Sequence, residues 1–240
     1  MVAAPSPHRL VVLSAIQERV AALLADLPEA EGFALAGGAA LIVRGDVDRL
    51  TSDLDFFAAP DGRVDQLTAA FVAAAQEAGF GVESLQSGPT FARVLVRRGE
   101  EAVSVDVGLD ARIRPLEASR LGPVLSREEL AADKLLALFG RAEPRDFVDV
   151  MALEPVIGLE RMCDLAAEKD RGFSRVQLAA MIERFDRFSA EEYGGDRTML
   201  EQLRAATHRW LDQLGVEPPD RPWRGPGITP SRREGPDLGL

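Results

Sequence analysis

Residues 33–57 read FALAGGAALIVRGDVDRLTSDLDFF, and this stretch decides the fold. A short apolar run, Phe33-Ala34-Leu35-Ala36, meets a Gly37-Gly38 turn, and a second apolar run carries Asp53-Leu54-Asp55. Side chains on a strand alternate between faces, so Asp53 and Asp55 project together while Leu54 and Phe56 project the other way. Carboxylates embedded among Leu54, Phe56 and Phe57 are costly to bury unless they are paired or hold a metal ion. A glycine pair between a strand and a helix leaves backbone N–H groups open at the positive end of the helix dipole, an arrangement that holds phosphate. Gly-Gly alone is more often just a tight turn, and Asp-x-Asp alone also occurs in turns. A phosphate cradle followed by a metal clamp points to nucleotidyl transfer.

Around this stretch the spacing predicts an amphipathic helix over 8–27, ended by Pro28, then a strand at 33–36, a brief helix at 39–43 and a second strand at 52–58. An alanine-rich helix is expected over 62–78. Three strands follow at 80–85, 90–98 and 102–107, separated by Gly88-Pro89 and Gly99-Glu100-Glu101. In the last of these, Val103, Val105 and Val107 share one face, and Ser104 and Asp106 the other. Asp106 thus sits on its strand much as Asp53 and Asp55 do; taken alone it also suits the outer face of an edge strand. A mixed sheet with helices packed on one side brings the three carboxylates together.

Beyond Pro115 the pattern is helical only. Ser126 and Glu129 fit a capping box that opens a helix running to about Gly140, and Pro144 suits the first turn of a helix ending near Leu153. Further helices are expected over 158–170, 174–189 and 198–214. The reading is therefore an α/β core over 1–120, an all-α region over 121–215 and a disordered tail rich in proline and glycine over 216–240.

Composition narrows the function. The formal charge of −11 argues against non-specific coating of nucleic acid, which draws its energy from Lys and Arg neutralising phosphates. Cys163 is the only cysteine, which excludes a disulfide framework and a thiolate zinc site. No stretch is long and apolar enough to span a bilayer and no leader pattern is present, so a cytoplasmic protein without membrane contact is expected. His8 and His208 are isolated and receive no role.

Arginine supplies almost all basic residues; the only lysines are Lys134 and Lys169. Lys134 shares a helix face with Arg141, which reads either as a solvated face or as a site needing a compact ammonium, while Lys169 lies in an ordinary polar stretch. Arg145 and Asp149, four apart, pair as an exposed salt bridge on the local rule. Arg93, Arg97, Arg98, Arg112 and Arg114 bracket the Asp106 strand, either as a basic strip beside the site or as edge charges that deter strand pairing.

Taken together, Gly37-Gly38-Ala39-Ala40-Leu41, Arg49-Leu50-Thr51-Ser52-Asp53-Leu54-Asp55-Phe56, Val105-Asp106-Val107, the segment from Leu130 to Leu138, Arg141, and Arg145-Asp146-Phe147-Val148-Asp149-Val150 resemble the AbiEii/AbiGii toxin family of nucleotidyltransferases, a branch of the DNA polymerase β-like superfamily. The resemblance implies a toxin of a type IV toxin–antitoxin system that transfers a nucleotide from an NTP to RNA, at the 3′ acceptor end of tRNA, with a cognate antitoxin as partner. It implies that Asp53, Asp55 and Asp106 hold Mg²⁺ or Mn²⁺, with Asp106 completing a two-metal site or serving as base. It places Lys134 on the triphosphate, Gly37, Gly38, Arg49 and Ser52 around the nucleotide, and Arg141, Arg145, Asp146 and Asp149 on the second lobe facing it, Asp146 and Asp149 among the catalytic groups. The superfamily's turn often reads Gly-Ser, its hydroxyl binding a phosphate; with Gly38 in that place, such a hydrogen bond is expected to come from backbone or Ser52. Two other readings keep part of this picture: transfer to a protein or small-molecule hydroxyl, and a non-catalytic binding module.

Overall fold

The structure, a computed structural model, describes residues 13–215. Helix α1 (Ala15–Ala25) starts at Ser14, whose hydroxyl accepts from the Gln17 N–H while the Gln17 side chain accepts from the Ser14 N–H. Strand β1 (Ala34–Ala36) runs directly into α2 (Gly37–Arg44), and β2 (Asp53–Ala58) returns alongside it. Helix α3 (Val64–Glu77) leads to the long strands β3 (Gly81–Gln86), β4 (Phe91–Arg98) and β5 (Glu101–Leu109). Residues 8–12 of the expected first helix and the tail over 216–240 lie outside the described residues.

The chain then departs from expectation. Instead of turning helical after Pro115 it forms two short strands, β6 (Glu117–Ser119) and β7 (Gly122–Val124), and β7 pairs in parallel with β1. Three-residue strands containing Gly122 and Pro123 have too little alternation to be read from the sequence. The result is one seven-stranded mixed sheet in the order β3-β4-β5-β2-β1-β7-β6. Strand β5 is therefore central, and the edge-strand reading of Asp106 does not hold.

Alternation sorts the sheet into two faces. Leu54, Phe56 and Ala58 of β2 and Val103, Val105 and Val107 of β5 are buried on the face covered by α1 and α3. Asp53, Asp55 and Asp106 occupy the other face. Strands β2 and β5 are parallel with Asp55 opposite Asp106, and β1 and β2 are antiparallel with Asp55 opposite Ala36. On the far side of β5, the β4–β5 hairpin sets Arg93 opposite Asp106. One row across four strands thus reads Arg93, Asp106, Asp55, Ala36.

From Arg127 to Leu214 only helical elements occur: α4 (Arg127–Gly140), α5 (Pro144–Ile157), α6 (Leu159–Lys169), α7 (Arg175–Ile182) and α8 (Arg197–Leu214), with 3₁₀ turns at Glu183–Arg187 and Ala190–Tyr193. The single helix expected over 174–189 is thus an α-helix that tightens into 3₁₀ geometry after Ile182. Helix α4 packs on α5, α6 and α7, and Phe147 meets the rings of Phe185 and Phe188 at 5.3 and 5.8 Å. A continuous apolar core runs from the sheet into this helical half. No described helix is long and apolar enough to cross a membrane.

The cap of α4 differs from a capping box. Ser126 accepts from the Glu129 N–H, but Glu129 turns inward and accepts from the Ile113 and Arg114 N–H groups at 3.0 and 2.7 Å and from Lys169 at 2.7 Å. Lys169, expected in a polar stretch, has a side chain only 4% exposed and also pairs with Asp110 and Asp133. Truncating Glu129 leaves two half-buried backbone donors unpaired and takes one carboxylate from buried Lys169, so Glu129→Ala is expected to lower unfolding free energy by about 3 kcal/mol in urea titrations. Glu128→Ala, which removes only exposed ion pairs to Arg114 and Arg161, is expected to cost less than about 1 kcal/mol.

Candidate active site

A cleft of about 620 Å³ lies between the polar face of the sheet and the helical half. Asp53, Asp55, Asp106 and Arg93 line it from the strands, Gly37 and Gly38 from the start of α2, and Lys134, Arg141 and Arg145 from α4 and its junction with α5. Arg49 and Thr51 enter from the loop before β2. Ser52 is exposed and does not line the cleft; Thr51, one residue earlier, does. The Thr51 hydroxyl donates to Asp53 Oδ1 at 2.6 Å, and Gln17 holds the loop by donating to the Thr51 carbonyl at 2.8 Å.

The glycine turn is shaped by what it faces. Gly37 has φ +61°, and a Cβ there would lie 1.7 Å from Asp55 Oδ2, so both backbone conformation and space demand glycine. A Cβ on Gly38 would lie 2.9 Å from the Thr51 hydroxyl and 3.0 Å from an Arg49 guanidinium nitrogen. The space beside Gly38, where a serine side chain is expected in related turns, is thus filled by Thr51 and Arg49. Ala36 caps α2 with no side-chain bond, which leaves the first N–H groups of the helix turned toward the cleft.

Asp149 is not an exposed partner of Arg145. It is fully buried and receives the Arg49 fork at 2.7 and 2.8 Å and Lys134 Nζ at 3.0 Å. Burial pushes its pKa upward, and the Arg49 bonds with the Lys134 charge outweigh it, so the carboxyl stays below its ordinary range. Lys134 is itself only 8% exposed, which rules out the solvated-face reading. Asp146 is likewise buried; it takes a fork from Arg141 at 3.0 and 2.8 Å and the Glu143 N–H at 3.0 Å. Neither Asp146 nor Asp149 lines the cleft, since a carboxylate at full burial must spend its oxygens on cations and N–H groups. They pair with Arg141, Arg49 and Lys134, which do line the cleft. Arg145 instead reaches Glu143 at 3.1 Å and lies 3.9 Å from Asp53.

The expected basic strip does not form. Arg93 forks onto Asp106, Arg97 lies 3.9 Å from Glu83, Arg98 stacks on Phe80, Arg112 binds the Gly32 and Phe57 carbonyls, and Arg114 joins Glu128 and Glu168. Only Arg93 of these five lines the cleft.

The carboxylates divide unequally. Both oxygens of Asp106 are engaged by Arg93, at 2.6 and 2.5 Å, and no group of three His, Cys, Asp or Glu side chains among the described residues is arranged to hold a metal ion. Asp53 and Asp55 do suit one hard divalent cation: they offer oxygen ligands from one strand face, and Asp55 accepts no hydrogen bond and joins no ion pair among the described residues. Burial, then Asp53 and Asp106, push the Asp55 pKa up to about 6, against the opposing charges of Lys134 and Arg145. At the other end of the cleft Asp133, which the sequence reading passed over, is pushed up to about 7 by burial despite Lys169. The scarcity of lysine was the available signal for that cluster, since both lysines prove to be buried beside carboxylates.

A glycine turn at a helix start packed beside strand carboxylates is the arrangement the sequence led one to expect of a nucleotidyltransferase. The family described as nucleotidyl transferase AbiEii toxin, type IV TA system, matches residues 20–225, and the chain belongs to it. Membership implies a nucleotide substrate and an antitoxin partner. No curated protein matches the sequence. Among solved structures, JHP933 from Helicobacter pylori aligns at 18% identity and TM-score 0.51 over 85% of this chain and 95% of that one. A second H. pylori chain, provisionally assigned to the nucleotidyltransferases, aligns at 16% identity and TM-score 0.52 over 84% and 96%. MenT4, a nucleotidyltransferase toxin from Mycobacterium tuberculosis, aligns at 19% identity and TM-score 0.46 over 82% and 85%.

The raised Asp55 pKa has a stability consequence. Its folded value of about 6 exceeds the ordinary 3.8, so between those values the folded state keeps a proton that the unfolded chain has lost. Stability therefore falls as pH rises through this window, by about 2–3 kcal/mol in total. In metal-free buffer, Asp55→Asn is expected to melt above the parent at pH 7.5, with the gain fading toward pH 4. Equal melting differences at both pH values would contradict the burial of this charge.

Proposed function

We propose that this chain is a Mg²⁺-dependent toxin that transfers a nucleotide from an NTP to an RNA acceptor, the 3′ end of tRNA, in the cytoplasm. The observation that carries the transfer chemistry is the packing of Gly37 against Asp55: N–H groups for an anion and carboxylates for a cation stand side by side. The triphosphate lies over the start of α2, with Lys134 and Arg49 neutralising its charge from one side and Arg141 and Arg145 from the rim. Asp149 fixes the first two cations in advance, so little reorganisation is needed as charge develops. A divalent ion at Asp53 and Asp55 would polarise the α-phosphate and offset the charge of departing pyrophosphate. The acceptor hydroxyl attacks the α-phosphorus in line, the bond to pyrophosphate breaks, and the hydroxyl proton leaves to solvent or a cleft carboxylate. Support for RNA as acceptor comes from the family resemblance; the cleft itself is lined by as many carboxylates as cations.

Incubation of the full chain with each labelled NTP, Mg²⁺ and total tRNA, RNA fragments or candidate proteins tests this reading. Label is expected on tRNA, and Asp53→Ala and Asp55→Ala are expected to abolish it. Label confined to protein would overturn the RNA acceptor, and labelling unaffected by either substitution would overturn the site.

Asp149→Asn keeps a hydrogen-bonding side chain for Arg49 but removes the charge that aims Lys134. Its kcat is expected to fall about 100-fold, the usual scale for a lost preorganised charge. Single-turnover labelling with the folded variant measures this, and a change in KM alone would argue that Asp149 only shapes the nucleotide pocket.

A further inference from the structure

The third carboxylate of the cleft is already closed by a cation of the chain itself. Asp106 is 7% exposed, and Arg93 covers both of its oxygens through Nε and Nη2. The guanidinium is held from a second direction by the Phe91 ring, 5.6 Å away and two residues earlier on β4, hence on the same face. Strand register fixes both contacts, since Arg93 is the cross-strand partner of Asp106 and Asp106 that of Asp55. Asp53 and Asp55, by contrast, meet no guanidinium among the described residues closer than the 3.9 Å of Arg145. Charge balance follows the same division: with Arg93 in place, one divalent ion neutralises the three carboxylates, whereas two ions would overshoot.

We infer that this chain holds a single divalent ion, on Asp53 and Asp55, and that the Arg93 guanidinium, fixed on Asp106 and Phe91, occupies the position a second ion would take. Arg93 is then a built-in cation, half-exposed at the cleft wall and able to meet a nucleotide phosphate without first being recruited from solution. A second ion would have to displace a forked, charge-assisted pair and strand the guanidinium. This inference rests on the proposed nucleotidyl transfer and concerns only how the site is charged.

The test is titration of the metal-free full chain with Mn²⁺ alone, without nucleotide, following free ion by electron paramagnetic resonance. The parent is expected to bind one ion per chain, and Asp55→Ala to lose it. Arg93→Ala is expected to bind two, and the double variant Arg93→Ala/Asp106→Asn to return to one, which locates the second ion at Asp106. Arg93→Lys keeps a positive charge beside Asp106 and so protects the fold, but cannot close both oxygens; it is expected to admit a second ion more weakly than Arg93→Ala. Two ions on the parent, or no second ion on either folded Arg93 variant, would overturn the inference while leaving nucleotidyl transfer standing. No ion on the parent together with label transfer that survives Asp55→Ala would instead overturn the proposed function and this inference with it.

Discussion

A carboxylate with no exposure to solvent must find its cations inside the fold, and Asp149 finds two. Arg49 comes from the loop that enters β2, and Lys134 comes from α4, so one residue of α5 ties the strand half of the chain to the helical half. Removing Asp149 leaves both cations without their carboxylate, and removing either cation leaves a buried carboxylate with one partner in place of two, which makes the triad a constraint on the relative placement of both halves. Two of the cations that face the cleft depend on it, while Arg141 is held by Asp146. Lys134 is held at the cleft wall by Asp149, and Arg49 lies against Gly38 with its fork fixed on the same carboxylate. The triad therefore sets a cationic wall opposite an anionic one.

How much of this was legible depended on distance along the chain. The polar and apolar faces of β2 and β5 follow from alternation, and the helices carrying Lys134 and Asp149 follow from spacing and caps, because those signals are local. The partner of Asp149 was misread for the same reason: a four-residue spacing offers Arg145, while burial favours Arg49, a hundred positions away in the chain. No local rule weighs a contact of that length. The β6–β7 pair was missed because so short a segment has no period, and its place is set only by β1 lying free beside it. Family resemblance pointed to the residues of the cleft, yet it could not separate those that face a ligand from Asp146 and Asp149, which stand behind them. The Arg93–Asp106 pair was within reach. The turn at Gly99-Glu100 sets Arg98 opposite Glu101, and counting back along both strands brings Arg93 opposite Asp106.

The polar interior is unevenly satisfied, and the unevenness has a pattern. Lys169 is surrounded by Asp110, Glu129 and Asp133, and Glu129 further ties down two backbone N–H groups, so this cluster acts as a brace between β5, α4 and α6. Asp146 and Asp149 are braced in the same way. Asp55, recessed beside them, has no such donors and is left carrying charge that its surroundings oppose. Sites that must receive a ligand keep such incomplete pairing, and the surrounding fold offsets its cost.

The contact between Gly37 and Asp55 also measures length. The first turn of α2 and the β2 carboxylate stand too close for a side chain between them, in a place set by the β1–β2 ladder that puts Ala36 opposite Asp55. The spacing between a place for negative charge and a place for positive charge is thereby gauged by backbone, which does not stretch. In the nucleotidyl transfer we propose, such a gauge would discriminate among ligands by the separation of their own charges. A molecule carrying its phosphate a bond or two farther from its counter-charge would then meet the same groups without satisfying both.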